Sequence, residues 1–164
     1  MSDAPIEPIG TPTILVDADA CPVKDEIYRV AERLDVPVII VANSPMRIPR
    51  EDFIRMQIVS DGFDAADDWI ADRASPATIV VTADILLAGR CVEKQAEVLS
   101  PTGKPFTPDN IGGAVATRAI MADLRAGAVG QNIGGPAPFS KADRSRFLQV
   151  LDRSVRRVKN AHNS

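Results

Sequence analysis

The fold of this chain is decided by the stretch TILVDADACP, residues 13–22. Its first four residues are β-branched or apolar, and they predict a buried β-strand that ends at Asp17. Pro22 has a fixed φ that suits the first position of a helix, so a helix is predicted to follow from about this residue. A strand followed by a helix begins a βαβ unit, the unit from which parallel sheets are built.

The same alternation continues along the chain. Apolar runs predict further strands at Val36–Val41, Gln57–Ser60, Ala77–Val81 and Glu97–Leu99. Helical spacing of apolar residues predicts helices at Pro22–Leu34, Asp64–Ala74, Ile85–Lys94, Ile111–Ala126 and Lys141–Val158. Strands joined by helices form right-handed crossovers, so the predicted fold class is α/β, a three-layer α/β/α sandwich around a mainly parallel sheet.

A length of 164 residues is that of one domain, and the 45% apolar and 25% charged residues are ordinary for a globular protein. The single domain is predicted to span residues 13–158, between flexible tails at 1–12 and 159–164. The Gly/Pro-rich stretch at 127–138 joins the last two helices, and an ordered turn is predicted at Gly134–Pro136.

The sequence also predicts the compartment. Its longest apolar runs are strand-sized, which predicts no membrane span. The first residues show no basic segment followed by an apolar one, so we expect no secretory signal and a cytoplasmic protein. Two cysteines, Cys21 and Cys91, are too few for a disulfide framework and are expected to be reduced.

The only histidine is His162, in a region predicted to be frayed. Ser-His-Asp and Cys-His catalysis need a histidine held by the fold, and so do histidine-rich zinc or iron sites. There is also no glycine-rich nucleotide-binding motif. Chemistry is therefore expected to depend on carboxylates, hydroxyls, thiols, lysine or arginine.

Aspartates follow the predicted strands where ligands bind to open parallel sheets, beyond the strands' carboxyl ends. Asp17 and Asp19 follow the first strand, and Asp84 follows the strand at Ala77–Val81. Four more aspartates share the polar side of one predicted helix: Asp64, Asp67, Asp68 and Asp72. Two carboxylates about 4 Å apart repel by about 4 kcal/mol at an effective dielectric constant of 20, so such a cluster needs protons or a cation. Oxygen ligands without His or Cys favour Mg²⁺ or Mn²⁺.

These aspartates also have purely structural explanations. Asp84 precedes a predicted helix and could act as its N-cap. Acids in the first turns of a helix suit its dipole, and we favour that interpretation for Asp68 and Asp72. Asp17 is different, because a carboxylate directly after a buried strand is desolvated unless it is hydrogen-bonded or bound to metal.

Several motifs in order resemble the YaiI/YqxD family of largely uncharacterised bacterial proteins. They are VDADACP at 16–22, VAN at 41–43, GFDxxD at 62–67, TxDIxLA at 82–88 and GP at 135–136. The resemblance covers roughly residues 13–155. One departure is Pro101-Thr102-Gly103, which stands where such proteins often have Pro-Arg-Gly.

That family is grouped with the PIN-like fold, whose nuclease members hold metal ions for RNA cleavage with aspartates after the first strand, on a middle helix and in a Thr-x-Asp motif. The resemblance implies that Asp17, Asp67 and Asp84 are the catalytic core. It implies Asp19 and Asp64 as additional ligands of Mg²⁺ or Mn²⁺.

The predicted function is divalent-metal-dependent hydrolysis of phosphodiester bonds in RNA or single-stranded nucleic acid. Asn43, Arg47 and Thr82 are candidates for substrate binding. One alternative is a phosphohydrolase with Asp17 as nucleophile and Asp19 as acid/base. Another is a non-catalytic module that binds nucleic acid or protein.

The net charge of −3 is unevenly distributed, because residues 141–159 carry seven basic and two acidic groups. The last predicted helix could therefore supply phosphate contacts beside the acidic residues, through Arg153, Arg156 and Arg157. Alternatively, these arginines form an ordinary solvated helix face. The sequence does not predict an oligomeric state.

Overall fold

The computed structural model describes residues 11–19, 21–60, 62, 64–127 and 139–162. The strands in this part of the chain are β1 (Thr13–Asp17), β2 (Val38–Ala42), β3 (Ile54–Ile58), β4 (Thr78–Val81), β5 (Glu97–Leu99) and β6 (Pro105–Phe106). The helices are α1 (Lys24–Leu34), α2 (Ala65–Arg73), α3 (Ile85–Glu93), α4 (Pro108–Gly127) and α5 (Lys141–His162). The turn predicted at 134–136 lies outside the described residues.

The strands form one sheet in the order β3-β2-β1-β4-β5-β6. All neighbouring pairs are parallel except β5 and β6, which are antiparallel. The central strand β1 lies between β2 and β4, so the chain leaves β1 on one side and later returns to its other side. This is the topological switch point at which open α/β sheets bind ligands. We call the end of the sheet where β1, β2, β4 and β5 finish the carboxyl edge.

Helices cover both faces of the sheet, which confirms the predicted three-layer α/β/α sandwich. On one face, α1 and α5 pack on the sheet through residues such as Ile27 and Leu151, which are fully buried. On the other face, Ile70 of α2 and Leu87 of α3 pack against β1 and its neighbours. Helix α4 lies outside α3 and contributes Ile111, which is only partly buried. Burial of the central strands from both sides explains their continuous apolar sequences.

Two strands differ from the prediction. β3 occupies Ile54–Ile58 rather than Gln57–Ser60, since this edge strand carries polar Arg55 and Gln57 that obscure its pattern. β6 was not predicted, because a two-residue antiparallel strand that begins with Pro105 has no recognisable periodicity. Prolines are found in sheets mainly at such edges.

Two helices are longer than predicted. α4 begins at Pro108 because Thr107 and Asn110 cap it reciprocally: the Thr107 N–H donates to Asn110 Oδ1, and the Asn110 N–H donates to Thr107 Oγ1. α5 continues through His162 into the predicted tail, where Lys159 Nζ donates to the carbonyl of Leu34. His162 is the last residue of α5, and its Nδ1 lies 3.0 Å from the carbonyl oxygen of Val158. Within the described residues, no helix is both long and apolar enough to span a bilayer.

Candidate functional site

Asp17 and Thr82 meet at the switch point. Asp17 is the last residue of β1, and Thr82 directly follows β4, the parallel neighbour of β1. Thr82 Oγ1 donates a hydrogen bond of 2.9 Å to Asp17 Oδ2. Asp17 is 8% exposed and Thr82 is 1% exposed. Burial raises the pKa of Asp17, and the hydrogen bond from Thr82 partly opposes this rise.

Asp84 caps helix α3. Its Oδ1 accepts hydrogen bonds from the backbone N–H groups of Leu86, at 2.9 Å, and Leu87, at 3.2 Å. The Asp84 N–H donates to Thr82 Oγ1 at 3.0 Å, so the Thr82 hydroxyl joins Asp84 to Asp17. The structural explanation for Asp84 is correct, yet its negative charge also raises the pKa of Asp17. Capping and membership of an acidic site are therefore compatible.

Asp67 lies in the first turn of α2, and other aspartates strongly affect its pKa. Its pKa is raised to about 6, first by burial and then by the charges of Asp84, Asp17 and Asp64. Arg90 lowers it slightly. The charges of three other aspartates therefore act on the Asp67 carboxyl group.

The five aspartates predicted as metal ligands are electrostatically linked. We call Asp17, Asp19, Asp64, Asp67 and Asp84 the acidic cluster. Asp19 is exposed, its charge raises the pKa of Asp17, and its backbone hydrogen bonds to Asp17. Asp64 precedes α2 in a left-handed conformation with φ of 67°, and its side chain makes no capping hydrogen bond. The tertiary fold thus brings residues from β1, α2 and the start of α3 to one place.

Two other aspartates of α2 lie outside this cluster. Asp68 forms an ion pair with Arg90, with Oδ1 and Nη1 2.9 Å apart, and both side chains are exposed. Asp72 is exposed one turn further along α2. These positions agree with the interpretation of Asp68 and Asp72 as solvated helix residues.

The chemistry of the acidic cluster suits a hard cation, although its side chains are not already arranged around one. Its donors are all carboxylate oxygens, the ligands preferred by Mg²⁺ and Mn²⁺. Among the described residues, however, no group of three or more His, Cys, Asp or Glu side chains is placed to hold a metal ion. Asp17 and Asp84 each use one oxygen in hydrogen bonds within the protein. Metal binding would therefore require these side chains to move closer together.

The predicted substrate-binding residues have different surroundings. Asn43 Nδ2 donates to the carbonyl of Ser60 at 2.9 Å, which joins the segments that follow β2 and β3. Arg47 is exposed in the connection between those strands. Thr82 is buried, and its hydroxyl donates to Asp17 and accepts from the Asp84 N–H, so its geometry is that of a positioning residue for Asp17.

The arginines near the end of α5 that were predicted to contact phosphate lie away from the acidic cluster, as Arg157 shows. The start of α5 lies nearer to it, since Arg144 Nη1 donates to the carbonyl of Pro22 in the segment that follows β1. α5 runs antiparallel to α1, with Arg144 bonded to Glu26 near the start of α1 and Lys159 bonded to Leu34 at its end. Arg157 donates to both carboxylate oxygens of Glu97, the first residue of β5. This end of α5 therefore lies at the opposite edge of the sheet from the acidic cluster. Arg156 is also engaged, in an ion pair with Asp152.

The sequence interpretation missed two cations at the carboxyl edge. Lys104 follows β5, and Arg118 lies on α4; both line a cleft of about 780 Å³. The cleft begins at Ala83 and Ile85, which flank Asp84 in the chain. No motif marks these cations. The proximity of Lys104 to the end of a predicted strand was the one available signal.

The Pro101-Thr102-Gly103 segment forms part of the same edge. Gly103 has φ of +87°, and a Cβ at this position would lie 2.8 Å from the backbone nitrogen of Phe147. Ser100 Oγ and Thr102 Oγ1 are 2.9 Å apart, and Arg146 donates to the carbonyl of Thr102. Glycine is needed here because α5 packs directly against the turn.

The sheet order and the acidic cluster define a class of three-layer α/β proteins with carboxylates at the switch point. Within that class, the chain belongs to the family described as "Uncharacterized BCR, YaiI/YqxD family", whose model matches residues 15–157. This confirms the resemblance seen in the sequence motifs.

Bacterial relatives match over most of their lengths. A "UPF0178 protein" of Sphingopyxis alaskensis is 63% identical over 151 residues, which cover 92% of this chain and 97% of the relative. Another, of Jannaschia sp., is 56% identical over a match that covers 89% of this chain and 94% of the relative. A third, of Rhodopseudomonas palustris strain HaA2, is 55% identical over a match that covers 88% of this chain and 87% of the relative. These names state no activity. No solved structure matches the chain significantly.

Proposed function

We propose that the acidic cluster binds Mg²⁺ or Mn²⁺ and hydrolyses phosphodiester bonds in RNA or single-stranded nucleic acid. The observation that supports this proposal is the pKa of Asp67, raised to about 6 by burial and by three neighbouring carboxylates. A strongly perturbed carboxyl group at the switch point of a parallel sheet is typical of a functional site. The resemblance to PIN-like nucleases supports the same chemistry.

The residues of the cluster would have distinct roles. Asp17 is held in one orientation by Thr82, and Asp84 is held by the first turn of α3. These two carboxylates would bind the metal, and Asp67 would complete the set. A metal ion held there would polarise a phosphoryl oxygen and make hydroxide available from bound water. The raised pKa of Asp67 reflects carboxylate repulsion that a bound cation would relieve.

The phosphohydrolase alternative is less well supported. It requires Asp17 to attack a phosphorus atom, but Asp17 is 8% exposed and one of its oxygens accepts from Thr82.

Cleavage of a fluorescent single-stranded RNA in Mn²⁺ and in EDTA tests the proposal. We expect cleavage in Mn²⁺ only, and its loss in Asp67→Asn. Asp72→Asn is the matched control, because it removes the same charge from the same helix outside the cluster. Turnover of p-nitrophenyl phosphate without RNA cleavage would support the phosphohydrolase instead. RNA binding without turnover of either substrate would support the non-catalytic module.

A further inference from the structure

A cleft beside Asp84 is lined by apolar and cationic side chains, unlike the acidic cluster. It is bounded by the residues after β4, by the turn after β5 and by α4. Its walls are largely apolar and include Pro101, Phe106 and Met121. At about 780 Å³ it is within the range of small-ligand pockets in proteins.

Two cations lie on this cleft without a neutralising partner. Lys104 and Arg118 are exposed, and neither forms an ion pair with another residue that the structure describes. Several surface arginines of α5 differ in this respect, since Arg144, Arg156 and Arg157 pair with acidic side chains. Unpaired cations beside an apolar cleft are suited to a ligand with both an anionic group and an apolar face.

The cleft adjoins the acidic cluster. Ala83 and Ile85 line it, and the Cα atom of each is about 3.8 Å from that of Asp84. A ligand could therefore extend from the cluster into the cleft. The acidic cluster is negatively charged and the cleft is positively charged. This arrangement matches a nucleic-acid strand whose reacting phosphate is bound through a metal cation and whose next phosphate is bound by lysine or arginine.

We propose that this cleft is a nucleotide subsite for single-stranded nucleic acid. The base of a nucleotide next to the cleavage position lies against the apolar walls, and Lys104 and Arg118 bind its phosphate. Apolar or aromatic contact with bases, combined with cations along the backbone, is the usual mode of binding single strands. This inference rests on the proposed nuclease function for the placement of the cleavage position beside the cleft. The binding that it predicts can be measured without cleavage.

Two neighbouring glycines of α4 provide a matched test. A Cβ added at Gly112 or Gly113 would meet no atom of the described residues within 4 Å, so this part of the chain leaves room for a side chain at both positions. Only Gly113 lines the cleft. Gly113→Phe should fill the cleft and weaken binding of a fluorescein-labelled oligouridylate of about eight nucleotides by about tenfold. Gly112→Phe should change the affinity less than about twofold, and melting curves check that both variants fold.

Charge variants test the phosphate contacts. Lys104→Gln with Arg118→Gln should weaken binding and reduce the slope of log affinity against log salt by about 1.4, the value for two contacts on a single strand. Arg29→Gln with Arg153→Gln removes the same charge from exposed positions on α1 and α5, and should leave the slope nearly unchanged. Wild-type protein should bind the oligonucleotide more tightly than an otherwise identical one with abasic positions.

Binding is measured by anisotropy in EDTA and in Mn²⁺, and cleavage is measured separately. If the wild type binds through the cleft but never cleaves, the nuclease proposal fails and the subsite stands. If RNA is cleaved while the cleft variants bind and cleave like the wild type, the subsite is wrong and the nuclease proposal stands. Absence of oligonucleotide binding in both buffers, or equal loss in Gly112→Phe and Gly113→Phe, would also overturn the subsite.

Discussion

Thr82 Oγ1 donates a hydrogen bond of 2.9 Å to Asp17 Oδ2 between the ends of the two central strands, and both side chains are buried. Their hydrogen bond couples the end of β1 to the end of β4. The Thr82 hydroxyl also accepts from the Asp84 N–H at 3.0 Å. One hydroxyl therefore holds two carboxylate-bearing segments of the acidic cluster in place.

Thr82→Val should destabilise the protein by about 1 to 3 kcal/mol, because it leaves buried polar groups without partners. The Thr82 bond lowers the pKa of Asp17, so its removal should raise that pKa further. The loss in stability should be greater at pH 8 than at pH 4, because the bond favours the charged carboxylate. Urea unfolding at both pH values measures this, and Thr82→Ser should restore most of the loss. Equal losses at both pH values would contradict the role assigned to the bond.

Asp67→Asn should change how stability depends on pH. The folded-state pKa of about 6 lies above the usual 3.8, so the folded protein binds more protons than the unfolded chain between these values. Wild-type stability should therefore fall as pH rises through this window. Without metal, Asp67→Asn should be the more stable protein at pH 7.5 by about 1 kcal/mol, after allowance for solvent screening of a partly exposed group. The difference should vanish near pH 4. Melting temperatures are measured in EDTA, and a difference between the two proteins that stays constant from pH 4 to 7.5 would refute this.

Asp84→Asn should be more stable than Asp84→Ala by about 1 kcal/mol. Asn caps a helix about as well as Asp, whereas Ala loses about 1 kcal/mol of capping free energy. Asn also removes the charge of Asp84, the strongest of the charges that raise the pKa of Asp67. In EDTA, Asp84→Asn should be at least as stable as the wild type, and the pKa of Asp67 should fall. Carbon-detected NMR titration measures that pKa, and an unchanged value would show that the two carboxylates do not interact.

Divalent metal should stabilise the folded protein. At about 100 times the dissociation constant, binding to the folded state alone adds about 2.7 kcal/mol, or about 5 to 11 °C in melting temperature for a chain of this size. Mn²⁺ must displace the proton from Asp67, so the shift should be smaller at pH 5 than at pH 7.5. Asp67→Asn should reduce the shift, and Asp72→Asn should retain it. Calorimetry that detects no binding at millimolar Mn²⁺ would exclude this metal site.

Much of the fold could be predicted from the sequence because its signals are local. The apolar runs at β1, β2 and β4 are long enough to show that both faces of these strands are buried. Parallel strands must end at the same edge, so the placement of Asp17 and Asp84 near one another follows from their positions after strands. β6 escaped prediction because pairing with β5, rather than periodicity, creates it.

The sequence by itself determined the sheet, the layers and the acidic residues at the carboxyl edge, because residue type and spacing decide which segments bury apolar surface. Only the tertiary structure decided which charges become neighbours. The antiparallel packing of α5 on α1 takes Arg157 to Glu97, away from the acidic cluster. The packing of α4 outside α3 brings Arg118 to the same cleft as Lys104. The pKa of Asp67 likewise depends on residues from separate segments, since electrostatic interaction follows distance in space and not separation along the chain.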